Sequence, residues 1–341
     1  MSKFLIVRLS SLGDIIHTLP AFSALRKHFP DAKISWLVEE KGKDILELVP
    51  GINKIIVTPL KSARIFSKKF IQDISRLKRQ LKSSEQTSID FQGLIKSGFF
   101  SWFSGAKPRL GFQKINCREP QASWFYTDKA APFSEDEHVI RKNLHLLSLL
   151  KIKEELLDFP FLIPEELSQT VRDKLSDLGA TQDKKFVLLN LGAAWETKRL
   201  PSDKWVQLIK HLEKLSIHLL LLWGTQAELE LAEKVRSQTN TILLPYLSLK
   251  EVFALIQEAA LVVTGDSFAL QAACALSRPT VSFFGPTNPE RNGPFHPDDC
   301  VVFHRLECSY CYKRTCDRLE CIQKISPEEI ADLCLKRLNV S

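Results

Sequence analysis

Short apolar runs alternate with amphipathic stretches along the whole chain. Phe4 to Leu9 has the character of a buried strand, Ile15, Leu19, Phe22, Leu25 and Phe29 recur at helical spacing, and Ile34 to Val38 makes a second run. Strand, helix and strand in that order form a parallel crossover unit. Lys54 to Val57 and Ser88 to Phe91 add short strands with helical patterns between them, which predicts an open, mostly parallel sheet for the first half.

The plan returns in the second half. Phe186 to Leu191 reads as a strand, Ser202 to Leu215 as a helix capped by Ser202 or Asp203, and Ile217 to Trp223 as a strand ending at Gly224. Leu229 to Val235 lies in the next helix, Ile242 to Leu244 is a short strand, and Ser248 to Glu251 is a capping box. Leu261 to Thr264 runs into Gly265-Asp266-Ser267, a helix follows to Leu276, and Thr280 to Phe284 ends at Gly285-Pro286. The 341 residues therefore divide into an N-terminal domain over 1–160, a C-terminal domain over 161–325, and a closing helix over 326–341 expected to pack back on the first domain. Glu154 to Lys185, with Pro160 and Pro164, is read as the connection.

Hydrophobic residues make up 44% and charged residues 26%, the balance of a globular protein, and no apolar run approaches the roughly 18 residues of a membrane span. Arg8 and Asp14 interrupt the apolar patch at Phe4 to Val7 before it could act as a signal-peptide core, so a cytoplasmic protein is expected. The formal net charge is +7, and the excess is local: Lys61, Arg64, Lys68, Lys69, Arg76, Lys78, Arg79 and Lys82 face only Asp73. This segment reads as a basic helix whose apolar stripe is Phe66, Phe70, Ile71, Ile74 and Leu77. It suits a solvated face packed on a sheet or a contact with anionic lipid. Its polar face lacks aromatic stacking partners and no recognition motif accompanies it, so nucleic acid is not expected as a partner.

In open parallel sheets, ligands bind beyond the carboxyl ends of the strands, where helix N-termini offer free N–H groups to phosphate. The residues there are Ser10 to Asp14, Gln92 to Ser97, Gly192 to Arg199, Gly224 to Glu228, Gly265 to Gln271 and Gly285 to Arg291, all small or polar in character. Ser10-Ser11-Leu12-Gly13 has no G-x-G-x-x-G, which sets aside a nicotinamide dehydrogenase even though Glu39 ends the second strand.

The motifs in these turns resemble a known family. Arg8 to Pro20, Ser35-Trp36-Leu37-Val38-Glu39-Glu40, Asp90 to Ser97 and Arg118-Glu119-Pro120 are similar to the N-terminal half of the heptosyltransferases of glycosyltransferase family 9. Lys198 with Trp205, Trp223-Gly224, Leu247-Ser248-Leu249 and Gly285 to Pro289 are similar to the C-terminal half. The resemblance implies the GT-B architecture, two Rossmann-like α/β domains facing a cleft. It implies an inverting transfer of L-glycero-D-manno-heptose from ADP-heptose to Kdo of Kdo-lipid A, at the cytoplasmic face of the inner membrane. The donor would bind the C-terminal domain and the acceptor the N-terminal one. Another family 9 transfer or donor, or a catalytically decayed nucleotide-sugar binder, remains open.

Displacement at an anomeric carbon needs a base on the attacking hydroxyl and stabilisation of the leaving diphosphate. By resemblance Asp14 is the base, and no Lys or Arg adjoins it in the local sequence; Asp beside Gly before a helix is also a favoured N-cap. Pro20 leaves two geometries open: Asp14 in a loop, or a helix from Ile15 kinked at Pro20. Lys198 is expected at the leaving group, with Gly192, Thr197, Ser267, Gly285, Pro286 and Thr287 around the phosphates. Trp223, Gly224, Glu228 and Leu247 would hold the adenosine, with Glu228 on the ribose hydroxyls, and Asp266 would meet the heptose hydroxyls. Ser10, Ser11, Gly13, His17, Gln92, Lys96 and Arg118 would line the acceptor site. No Asp-x-Asp element occurs, so catalysis without a metal or other cofactor is expected.

Two positions depart from the family's Asp-Thr/Ser-Gly followed by His, because this chain has Asp266-Ser267-Phe268 and then Gln271. A Phe ring is expected to close space over a phosphate where Gly leaves it open, and Gln271 cannot carry a positive charge. Ala193, Ala194 and Trp195 also replace a more polar run. Cys308, Cys311, Cys316 and Cys321 gather half of the 8 cysteines, and the first pair has zinc-ligand spacing. They are read either as reduced thiols in a covering loop or as a structural zinc site with His304 in reserve. Cys117, Cys274, Cys300 and Cys334 read as ordinary buried or half-buried residues.

Overall fold

The computed structural model describes residues 2–58, 68–81, 86–154, 156–180 and 183–339, with the backbone alone for 68–74. Lys61, Arg64, Phe66 and Lys82 of the basic segment lie outside the described residues, as do the side chains of Lys68, Lys69, Phe70, Ile71, Asp73 and Ile74. The chain divides into two compact units, Met1–Leu162 and Ile163–Ser341.

In the first unit the strands are β1 (Lys3–Val7), β2 (Lys33–Val38), β3 (Lys54–Val57), β4 (Gln86–Asp90), β5 (Arg109–Gly111) and β6 (Asp128–Lys129). They form one parallel sheet in the order β3-β2-β1-β4-β5-β6. The helices are α1 (Leu12–Ile16), α2 (Leu19–His28), α3 (Glu40–Leu46), α4 (Lys68–Leu81), α5 (Ile95–Phe103) and α6 (Val139–Leu146). Both faces of the sheet are covered, as a parallel sheet requires. Leu5, Val7, Leu37 and Ile56 pack with Leu77 and Leu81 of α4 and Phe100 of α5. On alternate positions Ile6, Ile34 and Trp36 are also buried, and the Trp36 ring centroid lies 6.0 Å from that of Phe22 in α2. Leu77 is thus on the packed side of α4, while Arg76, Lys78 and Arg79 are exposed.

The second unit repeats the arrangement with β7 (Phe186–Asn190), β8 (His218–Leu222), β9 (Ile242–Leu243), β10 (Leu261–Gly265), β11 (Thr280–Phe283) and β12 (Cys300–Val302). Their order is β12-β11-β10-β7-β8-β9, again parallel throughout. Its helices are α7 (Glu165–Asp177), α8 (Ser202–Leu212), α9 (Gln226–Arg236), α10 (Leu249–Glu258), α11 (Phe268–Ala275), α12 (Pro289–Asn292), α13 (Glu320–Gln323) and α14 (Pro327–Arg337).

Three expectations change. The stretch read as one helix from Ile15 to Phe29 is two, because the chain turns at His17–Thr18; Pro20 falls in the first turn of α2, where its missing N–H costs nothing. The connection between domains contains α7, fastened to α10 by Lys174–Glu251 at 2.5 Å and Arg172–Glu258 at 2.6 Å. The helix over Ser202–Leu212 starts behind Pro201, so Ser202 and Asp203 sit in its first turn rather than cap it. The closing helix α14 falls within the second unit. Its apolar face, Ile330, Ala331 and Cys334, is spent on the core of β10, β11 and α8.

Candidate active site

The chain leaves β1, turns through Ser10 and Ser11, and enters α1 with Ser11 as N-cap. Asp14 stands in the third helical position and accepts from the Ser11 N–H at 3.1 Å and the Ser11 hydroxyl at 2.9 Å, the reciprocal half of a capping box. Its other oxygen lies 2.8 Å from Arg8 Nη2, which corrects the expectation of an acid without a basic neighbour. Arg8 is six residues away in sequence, but the turn folds its side chain back over the helix start. It is buried, it donates to the Phe91 carbonyl, and its Nε has no partner among the described residues. Partial burial pulls the Asp14 carboxyl up, and the charges of Arg8 and His17 with the two Ser11 hydrogen bonds outweigh it, leaving the group at about 2. About a third of the side chain, 32%, remains open to solvent. Asp14 is therefore a capping residue whose carboxyl is held ionised well below neutral pH.

The neighbouring turn after β4 is held to the first. Gln92 accepts from the Leu9 N–H at 2.8 Å, and its own N–H donates to Asp90 at 2.8 Å. Asp90 is fully buried, which pushes its carboxyl up, and it receives the Tyr126 hydroxyl at 2.7 Å. His17 is buried at the end of α1, its ring edge-on to His138 at 5.7 Å. Lys96 in the first turn of α5 pairs with Glu39 at 2.8 Å, so its charge is already partnered. Gly13 lies in α1, and Ser10 and Arg118 lie in loops, Arg118 exposed. Of the residues expected at the acceptor, Ser10, Ser11, Gly13 and Gln92 thus share one corner with Asp14.

In the second unit, the loops after β7, β10 and β11 meet at Asp266. Lys198 Nζ lies 2.6 Å from its carboxylate and the Thr287 hydroxyl donates to the same oxygen at 2.7 Å. Both charged side chains are largely buried, at 13% and 10% exposure, where an ion pair is weakly screened. Asp266 is not the helix cap; Ser267 takes that position at the start of α11, linked to Thr264 at 2.9 Å and Asn190 at 3.1 Å. The Trp195 ring lies 4.3 Å from Lys198 Nζ and 5.3 Å from the Arg314 guanidinium.

Glu228 closes the capping box of α9 by accepting from the Gly224 and Thr225 N–H groups at 2.9 and 3.0 Å. Its second oxygen lies 3.9 Å from Arg199. Gly192 passes so close to this carboxylate that a Cβ there would collide with it. Gly285 is similarly crowded, with Ile322 at 2.8 Å from a would-be Cβ. Trp223 donates to the Leu244 carbonyl at 2.7 Å, Leu247 is buried, and Pro286 accepts from the Tyr312 N–H at 3.1 Å.

The two departures from the family pattern have packing explanations. The Phe268 ring stands edge-on to Phe253 of α10 at 5.6 Å. Gln271 is buried and donates to the Asn292 carbonyl at 2.8 Å, which joins α11 to α12. Cys308, Cys311 and Cys316 are exposed and Cys321 is half-buried. Among the described residues no three His, Cys, Asp or Glu side chains are gathered as a metal-ligand set, and His304 is bonded to Glu329 at 2.9 Å. Cys117, Cys274 and Cys334 are buried and Cys300 is half-buried, as expected.

Arg314 and Tyr126 were not expected at these sites, and Arg8, Asp90 and Trp195 were noted as parts of motifs without a role. Arg8 had a signal, a basic residue inside an apolar strand run. Arg314 had none, because it comes from a loop far along the chain.

Comparison with known proteins places this geometry. Residues 74–322 match the family model of glycosyltransferase family 9 (heptosyltransferase). Lipopolysaccharide heptosyltransferase 1 of Pseudomonas aeruginosa is 30% identical over 321 residues, covering 92% of this chain and 87% of that protein. The structure of E. coli heptosyltransferase WaaC with ADP superposes with a TM-score of 0.81 at 23% identity, covering 98% of this chain and 99% of that one. WaaC with ADP-2-deoxy-2-fluoro heptose gives a TM-score of 0.78 at 22% identity, with the same coverage. The fold is thus of the GT-B kind, and the chain belongs to glycosyltransferase family 9, the heptosyltransferases.

Proposed function

We propose that this protein is an inverting heptosyltransferase of lipopolysaccharide inner-core assembly, moving heptose from ADP-heptose to Kdo of Kdo-lipid A. The observation that carries the reading is the likeness over nearly the whole chain to Lipopolysaccharide heptosyltransferase 1, together with a WaaC relative that holds an ADP-heptose analogue.

The residues support the chemistry as follows. The Asp14 carboxylate takes the proton of the attacking acceptor hydroxyl; the new bond forms at the anomeric carbon as the bond to the β-phosphate oxygen breaks, and ADP leaves with the electron pair. Lys198, once its hold on Asp266 is shared with the donor, offsets the charge on that oxygen, and free N–H groups at the start of α11 add to it. Asp266, released in part, is available to the sugar hydroxyls. Glu228 reaches the ribose hydroxyls through the oxygen that faces Arg199. Each of these roles uses a group already fixed by a neighbour, which lowers the ordering cost of catalysis. No step calls for a metal.

A peripheral place on the inner face of the inner membrane suits the acceptor. No helix among the described residues is long and apolar enough to cross a membrane. The exposed Arg76, Lys78 and Arg79 of α4 stand beside α5, whose Phe99 and Trp102 are 39% and 53% exposed, a mixture of cations and interfacial aromatics suited to anionic lipid. The test is incubation of the protein with ADP-heptose and Kdo-lipid A, following ADP release and acceptor mass. Gain of one heptosyl unit is expected. ADP binding without transfer under these conditions would favour the decayed binder or a different acceptor.

A further inference from the structure

The loop that carries the clustered cysteines is fastened to the donor turns. The Thr197 hydroxyl donates to the Lys313 carbonyl at 2.8 Å, and the Tyr312 N–H donates to the Pro286 carbonyl at 3.1 Å. Tyr312 Oη in turn accepts from the Asn288 N–H at 3.4 Å. These bonds tie residues 312–313 to the loops after β7 and β11 at once, and set the next residue, Arg314, over the Trp195 ring at 5.3 Å. The same ring has Lys198 Nζ at 4.3 Å.

Two cations on one indole repel each other, and among the described residues only Lys198 has a carboxylate partner, Asp266. Arg314 is exposed and its described charged contact is the ring alone. An anion bound beside the ring offsets both charges and gains charge-assisted hydrogen bonds from a planar guanidinium, the fork that suits phosphate. We propose that Arg314 is a donor-binding residue that contacts the β-phosphate of the nucleoside diphosphate beside Lys198, with Trp195 as the platform that aims it. The proposal rests on the nucleotide-sugar reading of this site. It also gives the covering loop a purpose: it delivers a second cation to the Trp195 ring that carries Lys198.

The test is calorimetric binding of ADP and of AMP, which lacks the β-phosphate, to wild type and to Arg314→Gln. Wild type should prefer ADP, and the variant should lose about tenfold in ADP affinity while AMP affinity stays within about twofold. Arg314→Lys, which keeps the charge and loses the fork, should fall between. An equal loss for ADP and AMP would make Arg314 a packing residue of the loop and overturn the proposal. An unchanged ADP preference in Arg314→Gln would also overturn it while leaving the donor site intact. If wild type binds neither nucleotide, the donor reading itself fails.

Discussion

Arg8 holds Asp14 from beneath: its guanidinium lies 2.8 Å from the carboxylate, and the Ser11 N–H and hydroxyl hold the other oxygen. The acid is thereby aimed, and its carboxyl is held well below the usual carboxylate range. The same contact makes Asp14 a weak base in the resting state, so it takes the acceptor hydroxyl's proton as the oxygen bonds to the anomeric carbon and grows acidic.

Arg8→Gln should bring the acid limb of kcat/KM into view. With Arg8 gone, burial is opposed by His17 and Ser11 alone and the Asp14 carboxyl rises from about 2. A base with a raised pKa is protonated sooner as pH falls, so the limb should move up by about one to two pH units. Arg8→Lys should restore part of the shift. Identical pH profiles for wild type and Arg8→Gln would show that Asp14 ionisation does not limit turnover.

Lys198→Gln should lower kcat/KM about 10²- to 10³-fold, mostly through kcat, because the charge it meets grows as the diphosphate leaves. Steady-state rates against ADP-heptose concentration separate the two constants. A change in KM alone would make Lys198 a ground-state binder.

Tyr126→Phe should cost about 1–2 kcal/mol of stability in denaturant unfolding, because Asp90 is buried and loses a hydroxyl donor. Burial already raises the Asp90 carboxyl. The lost bond favoured the charged form, so the deficit should grow as pH rises through and above the carboxylate range. A deficit that shrinks with rising pH would mean that Asp90 donates to Tyr126.

Native thiol labelling near neutral pH should modify Cys308, Cys311 and Cys316 and spare Cys117, Cys274 and Cys334 until unfolding. Burial raises the Cys117 thiol to about 11 and pushes Cys274 and Cys334 up as well, whereas backbone N–H groups at Leu319 and Arg318 lower that of exposed Cys316. Protection of Cys308 and Cys311 that a chelator removes would identify a bound metal instead.

The alternation of apolar runs carried the two parallel sheets, because strands buried on both faces leave an unbroken hydrophobic signature. β5, β6 and β12 escaped it, since three, two and three residues are too short to show a period, while β9, also two, was legible within the apolar run Ile242 to Leu244. The turns were legible because small polar residues after strands have few other uses. What those residues touch was not. Asp14 reads as a cap or a base from its neighbours in sequence, and only the fold shows that Arg8 curls back to it. Asp266 was expected on the sugar hydroxyls, but nothing nearby in sequence showed that, with Ser267 as the cap, it pairs with Lys198, a residue 68 positions away. Phe268 and Gln271 look like lost function when compared with a motif, yet Phe253 and Asn292 give each a packing partner.

The most direct measurement is single-turnover transfer by Asp14→Asn with ADP-heptose and Kdo-lipid A, at donor and acceptor concentrations that saturate wild type and variant alike. Asparagine keeps an acceptor for Ser11 but cannot take a proton, so product formation should fall by at least about 10²-fold with ADP affinity unchanged. Transfer by Asp14→Asn at the wild-type rate would contradict the assignment of Asp14 as the base and leave it the helix cap alone.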